Sequence, residues 1–230
     1  MSAINKHKLK VLGVIPARGG SKSIPLKNIR PLNGKPLIEY TIESALASDA
    51  LDRIAVSTDH EEIIRVCDTY SDIDVVRRPV ELSTDEAPTE GALLHVCDEL
   101  ERNENFVPDV VLTLEPTSPL RTKETIRRCV NIFETTNADS VIGVVETRAC
   151  YGKIIDGRFA YLFPDQPRRR QDREPLYRES STIYGTKLST LRRKNSVLGD
   201  SLFPLIIPVD EAIDINVDRD FELLEMKLGL

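Results

Sequence analysis

The residues best suited to chemistry lie near the start of the chain, in Ile15-Pro16-Ala17-Arg18-Gly19-Gly20-Ser21-Lys22-Ser23-Ile24-Pro25-Leu26-Lys27-Asn28. An apolar run, Val11 to Ile15, feeds a loop that carries Arg18, Lys22 and Lys27 within ten positions. Such a loop suits a polyphosphate. Gly19 and Gly20 permit backbone angles closed to other residues, so successive amides can turn toward anionic oxygens while the cations neutralise them. Neither Gly-x-x-x-x-Gly-Lys-Ser/Thr nor Gly-x-Gly-x-x-Gly occurs at this loop. A flexible basic turn is the competing reading. The apolar strand before the loop and the Lys27-Asn28 pair after it favour a phosphate site, because open α/β sheets bind ligands at the carboxyl ends of their strands.

Four further groups fall where strands should end. The first is Arg77-Arg78-Pro79-Val80-Glu81-Leu82-Ser83-Thr84-Asp85, which alone reads as a basic turn. The second is Leu114-Glu115-Pro116-Thr117-Ser118-Pro119-Leu120-Arg121. Its two prolines fix a rigid turn that can aim the Thr117 and Ser118 hydroxyls and Arg121 at a ligand, although rigidity alone also explains them. The third is Arg168-Arg169-Arg170-Gln171-Asp172, with Tyr177-Arg178 and Tyr184 beyond it. Set among apolar residues, it favours an anion site over a solvated face. In the fourth, Ile213-Asp214-Ile215-Asn216-Val217-Asp218-Arg219-Asp220, strand-like alternation puts Asp214 and Asn216 on one face. Oxygen ligands so arranged suit Mg²⁺, which takes few protein ligands and fills its shell with water and phosphate. Helix N-capping by Asp218 or Asp220 competes with that reading.

The elements that must position these groups follow from periodicity. Strands are predicted near Val11 to Ile15, Arg53 to Ser57, Ile73 to Val76, Asp109 to Leu114 and Ser140 to Val145. Between them lie amphipathic helices. The first opens at Pro36 and puts Ile38, Ile42, Ala45 and Leu46 on one face; the others follow Asp59 as N-cap, Pro88 and Thr122. The alternation predicts an α/β fold with a mostly parallel sheet covered on both sides by helices. After Val145 it breaks: Tyr151 to Arg178 is rich in Pro, Arg, Asp and aromatics, and Phe159, Tyr161, Leu162, Phe163 and Tyr177 are more apolar than a solvated loop requires. It reads as an arm that packs on something, such as a second subunit. The pattern resumes with Thr182 to Thr186, Phe203 to Val209 and a helix from Asp218 to Leu228. A flexible tail over 1–9 and one domain over 10–230, with the arm at 147–186 after the fifth strand, are expected.

Thirty-one basic against thirty-seven acidic residues give a formal charge of −6, which offers no broad basic face to nucleic acid. The basic loop is a local exception. Cys67, Cys97, Cys129 and Cys150 form no Cys-x-x-Cys pair and read as small buried apolar residues, as in a reducing cytoplasm. No secretory or membrane-spanning run is recognised, so no membrane partner is expected. His7 falls in the tail, and His60 and His95 begin or lie within helices, so none is an obvious base.

Together these motifs resemble the acylneuraminate cytidylyltransferase family, the CMP-sialic acid synthetases, and more distantly the CMP-Kdo synthetases. The family loop Ile-Pro-Ala-Arg-Gly-Gly-Ser-Lys-Gly-Ile-Pro-Leu-Lys-Asn is matched by Ile15 to Asn28 except at Ser23; Arg-Pro-x-x-Leu-x-x-Asp by Arg78 to Asp85; Pro-Thr-Ser-Pro-Leu-Arg by Pro116 to Arg121; and Arg-Gln-Asp by Arg170 to Asp172. The resemblance implies a Rossmann-like nucleotide-diphospho-sugar transferase fold and a homodimer in which the arm completes the neighbouring site. It also implies a Mg²⁺-dependent reaction of CTP with a nonulosonic 2-keto sugar acid to give a CMP-sugar and pyrophosphate. By the matches, Arg18, Gly19, Gly20, Ser21, Lys22 and Lys27 hold the triphosphate, and Asn28, Arg78, Ala87 and Thr89 surround the cytidine. Glu115, Ser118, Arg121, Arg170, Gln171, Arg178 and Tyr184 fall near the sugar, its carboxylate or the neighbouring subunit's phosphates. Asp214 and Asn216 occupy the metal-binding acidic pair, and Arg18, Lys22, Lys27 and Asp214 carry the catalysis.

The chain departs from the family pattern in three places. Asn216 stands where many members have a second Asp, Glu115 where sialic acid enzymes carry Gln, and Ser180-Ser181-Thr182-Ile183-Tyr184 where they tend to have Asn-Gly-x-Ile-Tyr. The last two lie on the sugar side, so the acceptor is expected among modified nonulosonates such as legionaminic or pseudaminic acid. Rival readings are a nucleotidyltransferase using another NTP or a sugar-phosphate acceptor, and a non-catalytic nucleotide-binding regulator.

Overall fold

The structure is a computed structural model that describes residues 8–21 and 24–229. Chain order runs β1 (Val11–Pro16), β2 (Pro31–Leu32), β3 (Lys35–Pro36), α1 (Leu37–Leu46), β4 (Arg53–Thr58), α2 (Glu61–Cys67), β5 (Asp74–Arg77), α3 (Thr89–Glu104) and β6 (Val110–Thr113). It continues through α4 (Lys123–Thr135), β7 (Ser140–Thr147), β8 (Gly152–Ile155), β9 (Arg158–Tyr161), β10 (Leu176–Lys187), α5 (Leu188–Lys194), β11 (Leu202–Ile206) and α6 (Asp218–Lys227). Seven strands form one sheet in the order β11-β7-β10-β6-β1-β4-β5.

Period-two alternation along β1 explains the layers. Val11 and Ile15 face a core built with Ile38 and Ile42 of α1, Ile63 of α2 and Ile126, Cys129 and Phe133 of α4. Leu12 and Val14 face the opposite core, with Leu93, Val96, Cys97 and Leu100 of α3 and Leu188 and Leu191 of α5. A strand buried on both faces must read as a nearly unbroken apolar run, as this one does. A third cluster, Ile24, Leu32, Leu37, Ile215, Phe221 and Leu224, lies apart from both and joins the first loop to α6.

The expected mostly parallel sheet is found, with one strand reversed. β1 runs parallel to β4 and β6, β4 to β5, and β7 to β11, but β10 is antiparallel to both β6 and β7. The chain leaves the carboxyl end of β7, passes through the β8-β9 hairpin and re-enters at that same end, so β10 pairs as the second strand of a long hairpin. The expected arm at 147–186 therefore divides: Leu176 onward belongs to the sheet. The hairpin carries exposed apolar side chains, including Ile154, Ile155, Phe159 and Tyr161.

Smaller expectations also change. Residues 1–7 of the expected tail lie outside the described residues, whereas Lys10 N donates to Asp109 Oδ2 at 2.8 Å and Leu9 packs on the first core, so the chain is already anchored there. The N-cap of α2 is His60, whose Nδ1 accepts from Glu62 N, rather than Asp59. Cys67, Cys97 and Cys129 are buried, but Cys150 is exposed because it falls in the connection beyond β7. No helix among the described residues is long and apolar enough to cross a membrane.

Candidate active site

The site is built at the carboxyl ends of β1, β4, β5 and β6. After β1, Arg18 extends to Asp85, with Nη1 at 2.7 Å from Oδ1, and Asn28 Nδ2 donates to the Arg18 carbonyl at 3.0 Å. Gly19 N donates to Asp59 Oδ1 at 2.8 Å, which draws the loop against the start of α2. Neither Gly19 nor Gly20 uses a left-handed backbone, contrary to expectation. Gly19 is required for closeness instead: a Cβ there would lie 2.6 Å from His60 Cδ2. Among the described residues of the loop, Leu26 is left-handed, at φ 50°, a conformation that opposes the preference of an L side chain by roughly 1–2 kcal/mol. It turns the chain into the 3₁₀ turn Lys27–Ile29 and thereby sets Lys27 and Asn28. Lys22 lies outside the described residues.

Two cavities open here. The first, about 170 Å³, is lined by Arg18, Gly20, Ser21, Lys27, Asn28 and Arg78, together with Thr89, Glu115 and Thr117. The second, about 290 Å³, shares Thr89, Glu115 and Thr117 with it and adds Glu90, Glu179, Ser181 and Tyr184. Arg78 is buried, its Nε donating to Ser57 Oγ at 3.0 Å and its Nη2 to the Ser57 carbonyl at 2.9 Å, and burial lowers its pKa. Burial also lowers that of Lys27, against the attraction of Asp214, Glu115 and Asp220. Glu115, on the shared wall, is pushed up to about 7, chiefly by burial, with Arg121 opposing and Asp214 adding to the rise. Tyr184 donates to Glu179 Oε1 at 2.7 Å, and burial with that bond raises its pKa.

The segment carrying Asp214 and Asn216 is not a strand. It is held by other means: Ile215 is wholly buried in the third core, its N–H donates to the Thr117 carbonyl at 2.9 Å, and its carbonyl accepts from Lys27 Nζ at 2.9 Å. Full burial of an isoleucine contributes about 1.5–3 kcal/mol. Asp220 Oδ2 accepts from Asn216 N and Val217 N, so the capping role belongs to Asp220, while Asp218 pairs with Arg30. Asn216 Nδ2 donates to Asp214 Oδ2 at 2.9 Å, and Asp214 Oδ1 is buried with no hydrogen-bond partner. An anionic oxygen left open beside an amide fits a hard cation. The described residues contain no group of three or more His, Cys, Asp or Glu side chains able to hold a metal.

Other expected site residues fall elsewhere. Ala87 lines neither cavity, and Ser118 is buried with an unpaired hydroxyl. Arg121, only 2% exposed, is turned inward, donating to the Thr182 carbonyl, the Glu115 carbonyl and Thr41 Oγ1. Arg170, Gln171 and Arg178 are exposed and line neither cavity: Arg170 and Gln171 lie in the excursion between β9 and β10, and Arg178 sits on β10 opposite Val145 of β7. Sequence reasoning missed Asp59, Glu90 and Glu179; the strand-end position of Asp59 was the available signal for the first.

A family profile described as Cytidylyltransferase matches residues 12–192. The chain belongs to the cytidylyltransferase family. Among curated relatives, CMP-N,N'-diacetyllegionaminic acid synthase of Legionella pneumophila is 33% identical, covering 96% of this chain and 97% of the relative. Pseudaminic acid cytidylyltransferase of Campylobacter jejuni is 31% identical over 95% and 96%. N-acylneuraminate cytidylyltransferase of Streptococcus agalactiae is 32% identical over 93% of this chain, which spans 52% of that longer protein. Among solved structures, a CMP:2-keto-3-deoxy-manno-octonic acid synthetase complexed with CTP superposes with a TM-score of 0.65 at 15% identity, covering 96% and 98% of the two chains. A 4-diphosphocytidyl-2C-methyl-D-erythritol synthase does so with 0.70 at 14%, covering 96% and 100%. At these identities the likenesses are of fold.

Proposed function

We propose that this cytidylyltransferase joins CTP to a nonulosonic 2-keto sugar acid, giving a CMP-sugar and pyrophosphate. The observation that carries the reading is the pair of contiguous cavities with Thr89, Glu115 and Thr117 as their common wall. The cationic cavity suits the triphosphate, and the cavity of Tyr184 and Ser181 suits the acceptor, which the names of the relatives place among nonulosonic acids.

Nucleotidyl transfer asks little covalent chemistry of a protein, so alignment and charge neutralisation dominate. The acceptor's anomeric hydroxyl attacks the α-phosphorus in line; its O–H bond breaks with the proton released to solvent water, an O–P bond forms, and pyrophosphate leaves with the electrons of the α–β bridging bond. Arg18 exchanges Asp85 for phosphate oxygens, and Lys27, together with Lys22, neutralises the leaving group. Asn28 and Arg78 flank the nucleoside. Asp214 and Asn216 would hold Mg²⁺, whose chemistry is to neutralise phosphate charge and acidify a coordinated hydroxyl.

The exposed apolar hairpin supports a homodimer, in which Arg170, Gln171 and Arg178 reach the neighbouring chain's acceptor. Three buried free thiols suit a reducing cytoplasm. The test is Mg²⁺-dependent pyrophosphate release from CTP across a panel of 2-keto sugar acids, other nucleotides and sugar phosphates. Release with CTP and a nonulosonic acid is expected; release only with a sugar phosphate, or with no combination, overturns the proposal.

A further inference from the structure

Arg121 is a buried cation that reaches neither cavity and yet touches the wall of both. Its Nε donates to the Thr182 carbonyl at 2.7 Å, its Nη2 to the Glu115 carbonyl at 2.6 Å and its Nη1 to Thr41 Oγ1 at 3.3 Å. Each partner stands on a different element: β10, the turn after β6, and α1. Among the described residues no carboxylate hydrogen-bonds to this guanidinium, and burial draws its pKa down to about 10, so it remains a cation. A buried charge satisfied by carbonyls is a poor source of stability compared with an apolar side chain. What it does provide is direction, since a planar fork fixes the relative placement of the carbonyls it joins.

The Thr182 carbonyl lies where that direction matters. The ladder between β10 and β7 shifts register between Glu179 and Tyr184, and pairing of β10 with β6 begins only at Tyr184. Ser181 and Tyr184, on either side of the irregular stretch at Thr182, line the second cavity, and Glu115 lines both. The segment is thus irregular at the point where it must present side chains, and Arg121 ties it to the shared wall.

We infer that Arg121 is a positioning residue for the acceptor: it fixes the bulged part of β10 against the Glu115 wall and so sets the acceptor cavity, without touching either substrate. The inference rests on the proposed two-substrate reaction. It separates the two halves of the site, because Arg78 and Lys27, which line only the first cavity, are anchored through Ser57 and Ile215, and the loop at Gly19 through Asp59, rather than through Arg121.

The test measures both Michaelis constants in the wild type, Arg121→Lys, Arg121→Met and Thr41→Val. For Arg121→Met the KM for the acceptor should rise about tenfold or more while that for CTP stays within about twofold. Arg121→Lys should fall between, and Thr41→Val, which removes one of the three contacts and keeps the guanidinium, should move the acceptor KM in the same direction by less. Thr41→Val decides the matter if Arg121→Met fails to fold. A fall in kcat with both KM values unchanged, as loss of folded enzyme gives, overturns the inference, as does an equal rise in both. Absence of pyrophosphate release by the wild type overturns the proposed function itself, and the inference with it.

Discussion

The Lys27 ammonium donates to the backbone carbonyl of Ile215 at 2.9 Å, across 188 positions of sequence. One side chain of the loop after β1 therefore also braces the segment that bears Asp214 and Asn216. Lys27→Met should lower kcat by about 10²-fold, the scale for losing a charge that stabilises a transition state. It should also raise the Mg²⁺ concentration needed for half-maximal rate. A Mg²⁺ titration of both proteins checks this, and an unchanged requirement would confine Lys27 to the phosphates.

Gly19→Ala places a methyl group 2.6–2.8 Å from three atoms of His60. The loop or the start of α2 must move, which destabilises the fold by about 1–3 kcal/mol. The KM for CTP should rise as well. Thermal melts of Gly19→Ala, His60→Ala and the double variant form the check: the double variant should recover most of the stability lost by the glycine substitution, and simple additivity would refute the clash.

Glu115 ionises near pH 7 when folded, against an ordinary value of 4.5, so the folded chain holds this proton more tightly than the unfolded one. Its contribution to stability is unpenalised below about pH 4.5, worsens as pH rises toward 7 and is constant above. Glu115→Gln should accordingly be more stable than the parent at pH 8, by on the order of 3 kcal/mol without metal, with the gain shrinking toward pH 5. Urea titrations at several pH values measure it. A difference independent of pH would show that the carboxyl is not the source.

In the arm, Ile154 is 70% and Phe159 56% exposed, and Phe159 stacks edge-on with Tyr161 at 5.0 Å between ring centroids. Ile154→Lys with Phe159→Lys should convert the proposed dimer to a monomer in light scattering. Turnover should fall while CTP affinity, which draws on residues of the main sheet, persists. A dimer that survives both charges would place the subunit contact elsewhere.

The parts of the fold visible in sequence are those whose chemistry is local. β1 and β6 read as strands because both of their faces are buried, and Thr122 reads as an N-cap because its hydroxyl does accept from Thr125 N at 3.3 Å. Strand direction is not local: nothing in Leu176 to Lys187 distinguishes a parallel from an antiparallel neighbour. The seven residues of α5, with three basic residues in the last turn, are too short to give a periodic signal. In the site, the loop from Arg18 to Asn28 announced itself by charge and glycine. Arg121 did not, since an arginine aimed at a ligand and one buried among carbonyls are spelled alike. Asp59 was legible as a polar residue at a strand end, and only the approach of Gly19 decides that it serves the loop rather than the helix.

Because β10 lies between β6 and β7, the arm is spliced into the middle of the sheet and is not hung from its edge. Its outer part can be shortened at the β8-β9 hairpin, as any long loop can be. A deletion that runs past Leu176 would instead unzip the sheet, leaving β7 and β11 separated from the strands that carry the Arg18-to-Asn28 loop. The surface proposed for pairing two chains is in this sense editable, but it is not detachable.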